Sequence, residues 1–325
     1  MKILNIDVFN PKLIYTASPM CGGEVFAKGF EQNKYEVFRF DYRATKTPNE
    51  DLLIRADIIK PDIFFFGKAE TITPTTVGVL RSKYPNVTFL KFAADVRSMP
   101  SKHDTDILKY IDLFIATYAG DWLKLHKEYM SKNAKAMSIM TFTDSSFYYK
   151  YDVPEFWKSD VLWTGREGFG DNKMRNEIIS SLKKSKNKED HKIALHGLDN
   201  WLGSPEYQQA ICGAKIGIGS NSFNRRKYSS DRMGNFMACG TFYLTQYIDG
   251  IEDCFAKGEN IEWFNSISEM NELIEYYLKN EEKRQEVAKK GQEFILKNFD
   301  CKPLVSNILT VLKTGKSNYK WDEIV

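Results

Sequence analysis

Short apolar runs alternate with longer stretches of helical period along the chain, and turn residues bound each run. In the first half the runs fall at Lys2–Val8, Glu36–Asp41, Asp62–Gly67, Thr88–Ala93, Leu113–Thr117 and Met137–Phe142. Helical stretches such as Pro74–Tyr84 and Asp121–Ser131 lie between them. Ile63–Phe66 reads IFFF, the continuous apolar pattern of a strand covered on both faces. Strand and helix in alternation predict a parallel sheet with helices on both sides.

Near Asp144 the rhythm stops. Asp144–Phe156, DSSFYYKYDVPEF, mixes aromatics with one proline and reads as a linker. A second alternating block begins at Asp160–Thr164 and continues through Lys192–His196, Lys215–Gly219, Thr241–Gln246 and Ile261–Phe264. Ser266-x-x-Glu269 is a capping box. It opens a helix in which Met270, Leu273, Ile274, Tyr277 and Leu278 keep the helical period. A second helix follows to near Asn298, and Pro303 suits the first turn of a last one. The pattern predicts one α/β domain over 1–150, a second over 151–300, and a C-terminal helix and tail over 301–325. Open parallel sheets bind ligands at the carboxyl ends of their strands, so the chemistry should lie just after strands.

Composition narrows the ligand. The net charge of +3 is mildly basic, which suits a phosphate-bearing ligand without demanding a polyanion. The longest apolar stretches are strand-sized, too short to span a membrane. MKILNIDVFNP reads as a first strand and not as a signal peptide, so a cytoplasmic protein is expected. Cys21, Cys212, Cys239, Cys254 and Cys301 are scattered with no CxxC pair and are expected to be reduced. Asp104-Thr105-Asp106 has the form of a metal-binding DxD, but it opens a helix, and helix-start carboxylates explain it better. No cluster marks a tightly bound metal, and no cofactor is required.

The stretch from Tyr228 to Phe255, YSSDRMGNFMACGTFYLTQYIDGIEDCF, carries the most chemistry. Ser229, Ser230 and Asp231 stand where they can cap a helix, and a helix N-terminus suits a phosphate. Arg232 and Asn235 share one face of that helix; Met233, Phe236 and Met237 share another. The stretch, with SEMNELIEYYLKNEEKRQEVAKKGQEFI after it, resembles the C-terminal half of the GT-B glycosyltransferases. The nearest pattern is that of the CgeB-like branch, S-D-R-x-x-E-x-M-A-C-G, a buried strand, then G-x-E-x-x-F. Arg232, Met237, Ala238, Cys239, Gly240, Gly250, Glu252 and Phe255 match it. Asn235 stands where that family has the Glu that grips the donor ribose, and Lys227 where many retaining members have a second Glu.

The resemblance runs from about Asp160 to Phe299. It implies an α/β protein of GT-B fold: two Rossmann-like domains facing a central cleft, with the C-terminal helix returning to the N-terminal domain. It also implies a metal-independent glycosyltransferase that moves a sugar from a nucleotide-sugar, a UDP-sugar being expected, to an acceptor hydroxyl. Arg166 and Lys173 then become diphosphate ligands, with Gly165, Gly168 and Gly170 allowing close backbone approach; alternatively they form an ordinary surface loop. Gly22 and Gly23 occupy the matching loop of the first domain, and Gly250 and Glu252 the loop against the transferred sugar. Asp95, after the strand TFLKFAAD, is the first choice of general base or else a cap of the next helix; His103 and Asp144 are further candidates.

The acceptor has no signature of its own. Arg225-Arg226-Lys227 is a compact basic run beside the donor helix and is the candidate acceptor-binding element. A glycan, a protein or a hydroxymethylated base in phage-type DNA all fit. Tyr148, Tyr149 and Tyr151 around Lys150 offer base stacking or simply pack the linker. The competing function is a non-catalytic two-domain protein that binds a nucleotide or small molecule. Hydrolysis of a nucleotide-sugar separates the two.

Overall fold

The structure, a computed structural model, describes residues 1–9, 22–94, 99–168, 170–187, 191–198 and 202–325. Its first half alternates as the polarity pattern requires: β1 (Lys2–Asp7), α1 (Gly22–Gln32), β2 (Glu36–Asp41), α2 (Pro48–Ile59), β3 (Ile63–Phe66), α3 (Pro74–Lys83), β4 (Thr88–Ala93), α4 (Lys102–Leu108), β5 (Leu113–Ala116), α5 (Asp121–Glu128) and β6 (Lys135–Ser138). The strands pair in parallel in the order β2-β1-β3-β4-β5-β6. Phe64, Phe65 and Phe66 are fully buried. Phe26 of α1 lies 4.7 Å from Phe65 and 4.6 Å from Phe92, centroid to centroid, a tilted aromatic cluster that fixes α1 on the sheet.

The second half builds β7 (Ser159–Thr164), α6 (Lys173–Asn187), β8 (Ile193–His196), α7 (Ser204–Gly213), β9 (Ala214–Gly219), α8 (Asp231–Ala238), β10 (Phe242–Gln246), β11 (Glu262–Phe264), α9 (Ile267–Lys279) and α10 (Glu281–Phe299). These strands are also parallel, in the order β11-β10-β9-β7-β8. Val161, Trp163, Ile216, Ile218, Leu244 and Phe264 of the sheet form one core with Ile178, Ile179 and Leu182 of α6 and Met270 and Ile274 of α9. The Ser266 hydroxyl accepts from the Glu269 N–H at the head of α9. The Glu269 carboxylate reaches back to the Asn265 N–H, one residue earlier than a capping box would have it.

The last helix, α11 (Cys301–Thr314), belongs with the first half. The chain forms two units, Met1–Met140 with Cys301–Val325, and Thr141–Asp300. The passage between them falls ten residues before the expected position 150. The stretch read as a linker is instead strapped to α7 of the second unit. Tyr148 is fully buried, Lys150 Nζ donates to the Cys212 carbonyl at 2.7 Å, and Gln208 donates to the Phe147 carbonyl. Buried aromatic area overrides a composition that looks like a linker.

β6 also departs from expectation, starting and ending earlier than Met137–Phe142. Its free edge is taken by the C-terminus: Ala136 and Val325 exchange backbone hydrogen bonds at 2.8 and 2.9 Å, and Met137 bridges Ile324 antiparallel. Covering an edge strand this way removes a row of unpaired backbone groups. Among the described residues no helix is long and apolar enough to cross a membrane. Among the described residues Cys212, Cys239, Cys254 and Cys301 form no disulfide with one another.

Each sheet has one point where the strand order reverses. In the first unit it lies between β1 and β3, and in the second between β7 and β9. Crevices form there at the carboxyl ends of parallel strands.

The seat of α11 on α1 depends on Gly29. A β-carbon there would stand 2.4 Å from the Cys301 carbonyl oxygen and 2.4 Å from a Val305 methyl. Alanine ordinarily favours a helix interior over glycine by about 1 kcal/mol. Overpacking costs typically about 1–3 kcal/mol, and a clash with a backbone carbonyl falls at the upper end, so Gly29→Ala is expected to lower unfolding free energy by about 2 kcal/mol net. Urea denaturation reads this directly, and a variant as stable as its parent would mean that α1 and α11 do not meet closely.

Candidate functional site

The reversal point of the second unit holds two arginines. β7 ends at Thr164 and the chain turns at Gly165, where φ is +134°. β9 ends at Gly219, leaving the Ser220 carbonyl pointing out of the sheet. Arg175 Nη1 donates to that oxygen at 3.1 Å and Arg232 Nη2 donates to it at 2.7 Å. Arg175 also donates from Nε and Nη2 to the Arg166 carbonyl, at 3.1 and 2.8 Å, and its guanidinium lies 5.0 Å from the Trp163 ring centroid. A side chain on Gly165 would begin 2.7 Å from Arg175 Nη2 and 2.8 Å from Arg232 Nη1. Glycine is therefore required at this turn both for its φ and for space.

Arg175 is 3% exposed, and its hydrogen bonds go to carbonyls. Among the described residues no carboxylate pairs with Arg175 or Arg232. Burial, and then the positive charge of Arg232, pull the Arg175 pKa from its usual 12.5 down to about 10. A buried cation beside a second cation, with neutral partners only, costs stability and offers a seat to an anion. Around the pair are polar atoms that are buried with no hydrogen-bond partner among the described residues, Ser230 Oγ and Arg232 Nε, while Thr164 and Asn235 face the Tyr207 phenol. Native interiors satisfy almost all such atoms, so their gathering at one place marks a site.

The local sequence explains this arrangement. α6 buries Arg175, Ile178, Ile179 and Leu182, the i, i+3, i+4, i+7 stripe of an amphipathic helix. Arg175 sits at the first position of that apolar stripe, a signal legible in the sequence, whereas Lys173, the expected diphosphate ligand, is exposed at the start of the helix. α8 is held by Asn221, whose Oδ1 accepts from the Ser230 N–H at 3.1 Å and whose amide nitrogen donates to the Tyr228 carbonyl. Asn172 Nδ2 in turn donates to the Asn221 carbonyl at 2.8 Å and to Gln246 Oε1 at 2.7 Å. A buried amide network thus sets the angle at which α8 presents Arg232.

The remaining expected residues fall in several places. Ser230 is the N-cap of α8, but its hydroxyl makes no capping hydrogen bond, and Ser229 is buried before it. Asn235 is fully buried and faces the Tyr207 phenol, whose pKa burial pushes up. Arg166 is exposed, contributing its backbone carbonyl to Arg175. Gly22 and Gly23 open α1 in the first unit, packed on Phe92 and Asp7. Asp95 lies outside the described residues.

Arg225, Arg226 and Lys227 form no free basic patch. Arg225 pairs with Asp171 at 3.0 Å, Arg226 with Asp249 at 3.2 Å and Asp253 at 2.7 Å, and Lys227 with Asp253 at 2.9 Å. Lys227 is 4% exposed. Gly250, at φ +80°, gives the room these side chains need: a β-carbon there would stand 2.8 Å from Arg226 Nη1. Glu252 accepts from the Tyr247 hydroxyl at 3.1 Å. The run therefore ties the loop after β9 to the loop after β10. Beside this tie opens a cavity of about 350 Å³, lined in part by Met174, Phe223, Arg225, Gln246, Tyr247 and Asn265. Ser101 caps α4, its hydroxyl accepting from the Asp104 N–H and donating to the Asp104 carboxylate, and Asp106 pairs with Lys102, so the DxD serves a helix start.

The family described as "Glycosyl transferase-like" matches residues 175–310. No curated protein matches the chain. Solved structures are similar over nearly all of it. An α-glucosyltransferase in complex with UDP and a 13-mer DNA containing an HMU base is 13% identical with a TM-score of 0.67, covering 97% of this chain and 100% of its own. Sucrose-phosphate synthase from Thermosynechococcus elongatus is 11% identical with a TM-score of 0.62, and Anabaena HepE in complex with UDP-glucose is 11% identical with a TM-score of 0.61. Both cover 97% of this chain and 100% of theirs. The fold is that of the GT-B glycosyltransferases, with two Rossmann-like units.

The like-charge pair leads to an expectation on stability. With the Arg175 pKa depressed, its charged form is disfavoured in the folded state at every pH below about 10. Arg232→Met removes one contributor to that penalty and should raise unfolding free energy at neutral pH by about 1 kcal/mol. Inorganic phosphate should raise the melting temperature of the parent and not of the variant. A variant less stable than its parent, with the phosphate effect retained, would show that the two guanidinium groups do not share an anion.

Proposed function

We propose that this protein is a glycosyltransferase that takes a nucleotide-sugar, a UDP-sugar in the first instance, and passes the sugar to an acceptor hydroxyl. The observation that carries this reading is the pair Arg175 and Arg232 at the reversal point of the second unit, without an acidic partner among the described residues. Two forks of N–H donors at the head of a parallel sheet fit the oxygens of a diphosphate. The glycosyltransferase-like match over 175–310, and UDP or UDP-glucose in structures of the same fold, support a nucleoside diphosphate over other anions.

Chemically, the bond from the anomeric carbon to the diphosphate breaks as the acceptor oxygen attacks, and negative charge grows on the leaving phosphate. Arg175 and Arg232, already desolvated and fixed on the Ser220 carbonyl, meet that charge without reorganising. They supply locally the positive charge that a divalent cation supplies in other transferases, so the reaction is proposed to be metal-independent. Gly165 keeps the approach open. The acceptor hydroxyl belongs to a glycan, a protein or a hydroxymethylated base in DNA. Arg225, Arg226 and Lys227 are given no polyanion-binding role, because acids match their charge.

Calorimetry with UDP tests the reading. Arg175→Ala should weaken UDP binding about tenfold to a hundredfold, the loss of one charge-assisted hydrogen-bonding group at about 1.5–3 kcal/mol. Equal affinity in parent and variant would refute the site. Turnover of a UDP-sugar should be unchanged by EDTA; a loss restored by Mg²⁺ would show that the arginines do not carry the leaving-group charge alone.

A further inference from the structure

The carboxyl ends of α7 and α8, separated in sequence by β9, carry one cysteine each. Cys212 stands in the last turn of α7, and Cys239 is the C-cap of α8. The fold ties these two helix ends together. Gly240, at φ +67°, turns the chain out of α8, and the Thr241 hydroxyl then donates to the Ile211 carbonyl at 2.7 Å. Beside this tie the two thiols meet, with Cys239 donating a hydrogen bond to the Cys212 sulfur. Cys239 is fully buried and Cys212 is 5% exposed, so Cys212 is the one nearer to solvent.

The aromatic strap closes over Cys212. Its sulfur donates to the Tyr149 carbonyl at 3.3 Å and accepts from the Tyr151 N–H, while Lys150 Nζ donates to the Cys212 carbonyl at 2.7 Å. Among the described residues the charged and titratable groups facing the pair are Lys150 and Tyr151, both on the strap. The hydrogen bond from Cys239 pulls the Cys212 pKa from its usual 9.0 down to about 7 against the effect of burial, and the Tyr151 N–H and the Lys150 charge assist. The same hydrogen bond, with burial, pushes the Cys239 thiol up and keeps it protonated. Any small apolar side chain would fill these two positions. What only this pair offers is a sulfur disposed to ionise with a second sulfur in contact, the arrangement in which oxidation ends in a disulfide.

We propose that Cys212 and Cys239 are a reversible oxidation site, at which a peroxide converts the thiol contact into a disulfide that locks α7 to α8. The Cys212 thiolate attacks one peroxide oxygen; the S–O bond forms, the O–O bond breaks, and hydroxide leaves and takes up a proton as water. The Cys239 sulfur then attacks the Cys212 sulfur. The S–S bond forms, the S–O bond breaks, and a second water leaves with the Cys239 proton. Two thiols and one hydrogen peroxide thus give one disulfide and two waters, with two electrons passing from sulfur to oxygen. A dithiol reductant reverses the change by exchange. The helix so locked is the one that presents Arg232, but the chemistry is independent of what Arg232 binds.

The test is a peptide map of the full chain after brief exposure to hydrogen peroxide, with the remaining thiols blocked by N-ethylmaleimide in denaturant. A peptide joining Cys212 to Cys239 should appear and vanish on treatment with dithiothreitol, while Cys254 and Cys301 stay alkylated. The rate of linkage should rise with pH through about 7 and then level off, as the Cys212 thiolate fills. The oxidised protein should melt several degrees above the reduced one, because the cross-link restricts the unfolded chain, and dithiothreitol should cancel the rise. Cys239→Ser leaves Cys212 without its partner: peroxide should then stop at a sulfenic acid that dimedone captures on Cys212, with no rise in melting temperature. Cys212→Ser should leave Cys239 unmodified. The parent's peptide map decides alone should either variant fail to fold. If Cys212 and Cys239 both remain alkylatable after peroxide, or if either links to another cysteine instead, the site is overturned. Linkage without a rise in melting temperature would overturn the lock between α7 and α8.

Discussion

Two guanidinium groups sharing one carbonyl oxygen repel each other, and the second unit is built so that they cannot move apart. Arg175 is anchored by the apolar stripe of α6 below it and by two carbonyls above it. Arg232 is aimed by α8, whose start is gripped by the Asn221 and Asn172 amides. Hydrophobic burial of Ile178, Ile179 and Leu182 holds the repulsion in check, each such side chain being worth about 1.5–3 kcal/mol. The stability surrendered is small against the core, and it leaves positive charge fixed in place before any ligand arrives. A preformed field of this kind costs no reorganisation when negative charge develops against it.

The two units solve one geometric problem with opposite chemistry. Each has a parallel sheet whose strand order reverses beside the first strand, and each places a glycine turn and a buried ionisable group at that reversal. In the second unit the glycine is Gly165 and the charges are two arginines. In the first the glycines are Gly23 and Gly67 and the group is Asp7, with Lys91 nearby. Removing a β-carbon is what lets a charged group sit at the end of a buried strand in both cases.

Net charge of +3 gives little guide to where charge acts. The densest basic run, Arg225-Arg226-Lys227, is matched by Asp171, Asp249 and Asp253 and serves to lock two loops together. Arg175, buried at the reversal point, lies outside any dense basic run, between Met174 and Asn176. Charge density along a chain measures neither burial nor pairing, and those two quantities decide whether a charge is available to a ligand.

The polarity pattern by itself determined the alternation of strands and helices, because period 2 and period 3.6 are local properties that survive folding unchanged. Glu36–Asp41 and Thr88–Ala93 coincide with β2 and β4 residue for residue. Ser266 at the head of α9 and the arginine at the head of α8 were also legible, since helix starts are written in adjacent residues. Tertiary structure alone decided the rest. The aromatic stretch after Asp144 became a packed strap because Tyr148 found a buried site against α7. Lys173 is exposed and Arg175 buried because two residues turn a helix by about half a revolution, from solvent to core. Asp7 and Gly67 meet across sixty residues only because β1 and β3 pair, and Arg175 meets Arg232 only because β7 and β9 do. Which distant residues share a strand end is set by sheet order, and sheet order is a property of the whole fold.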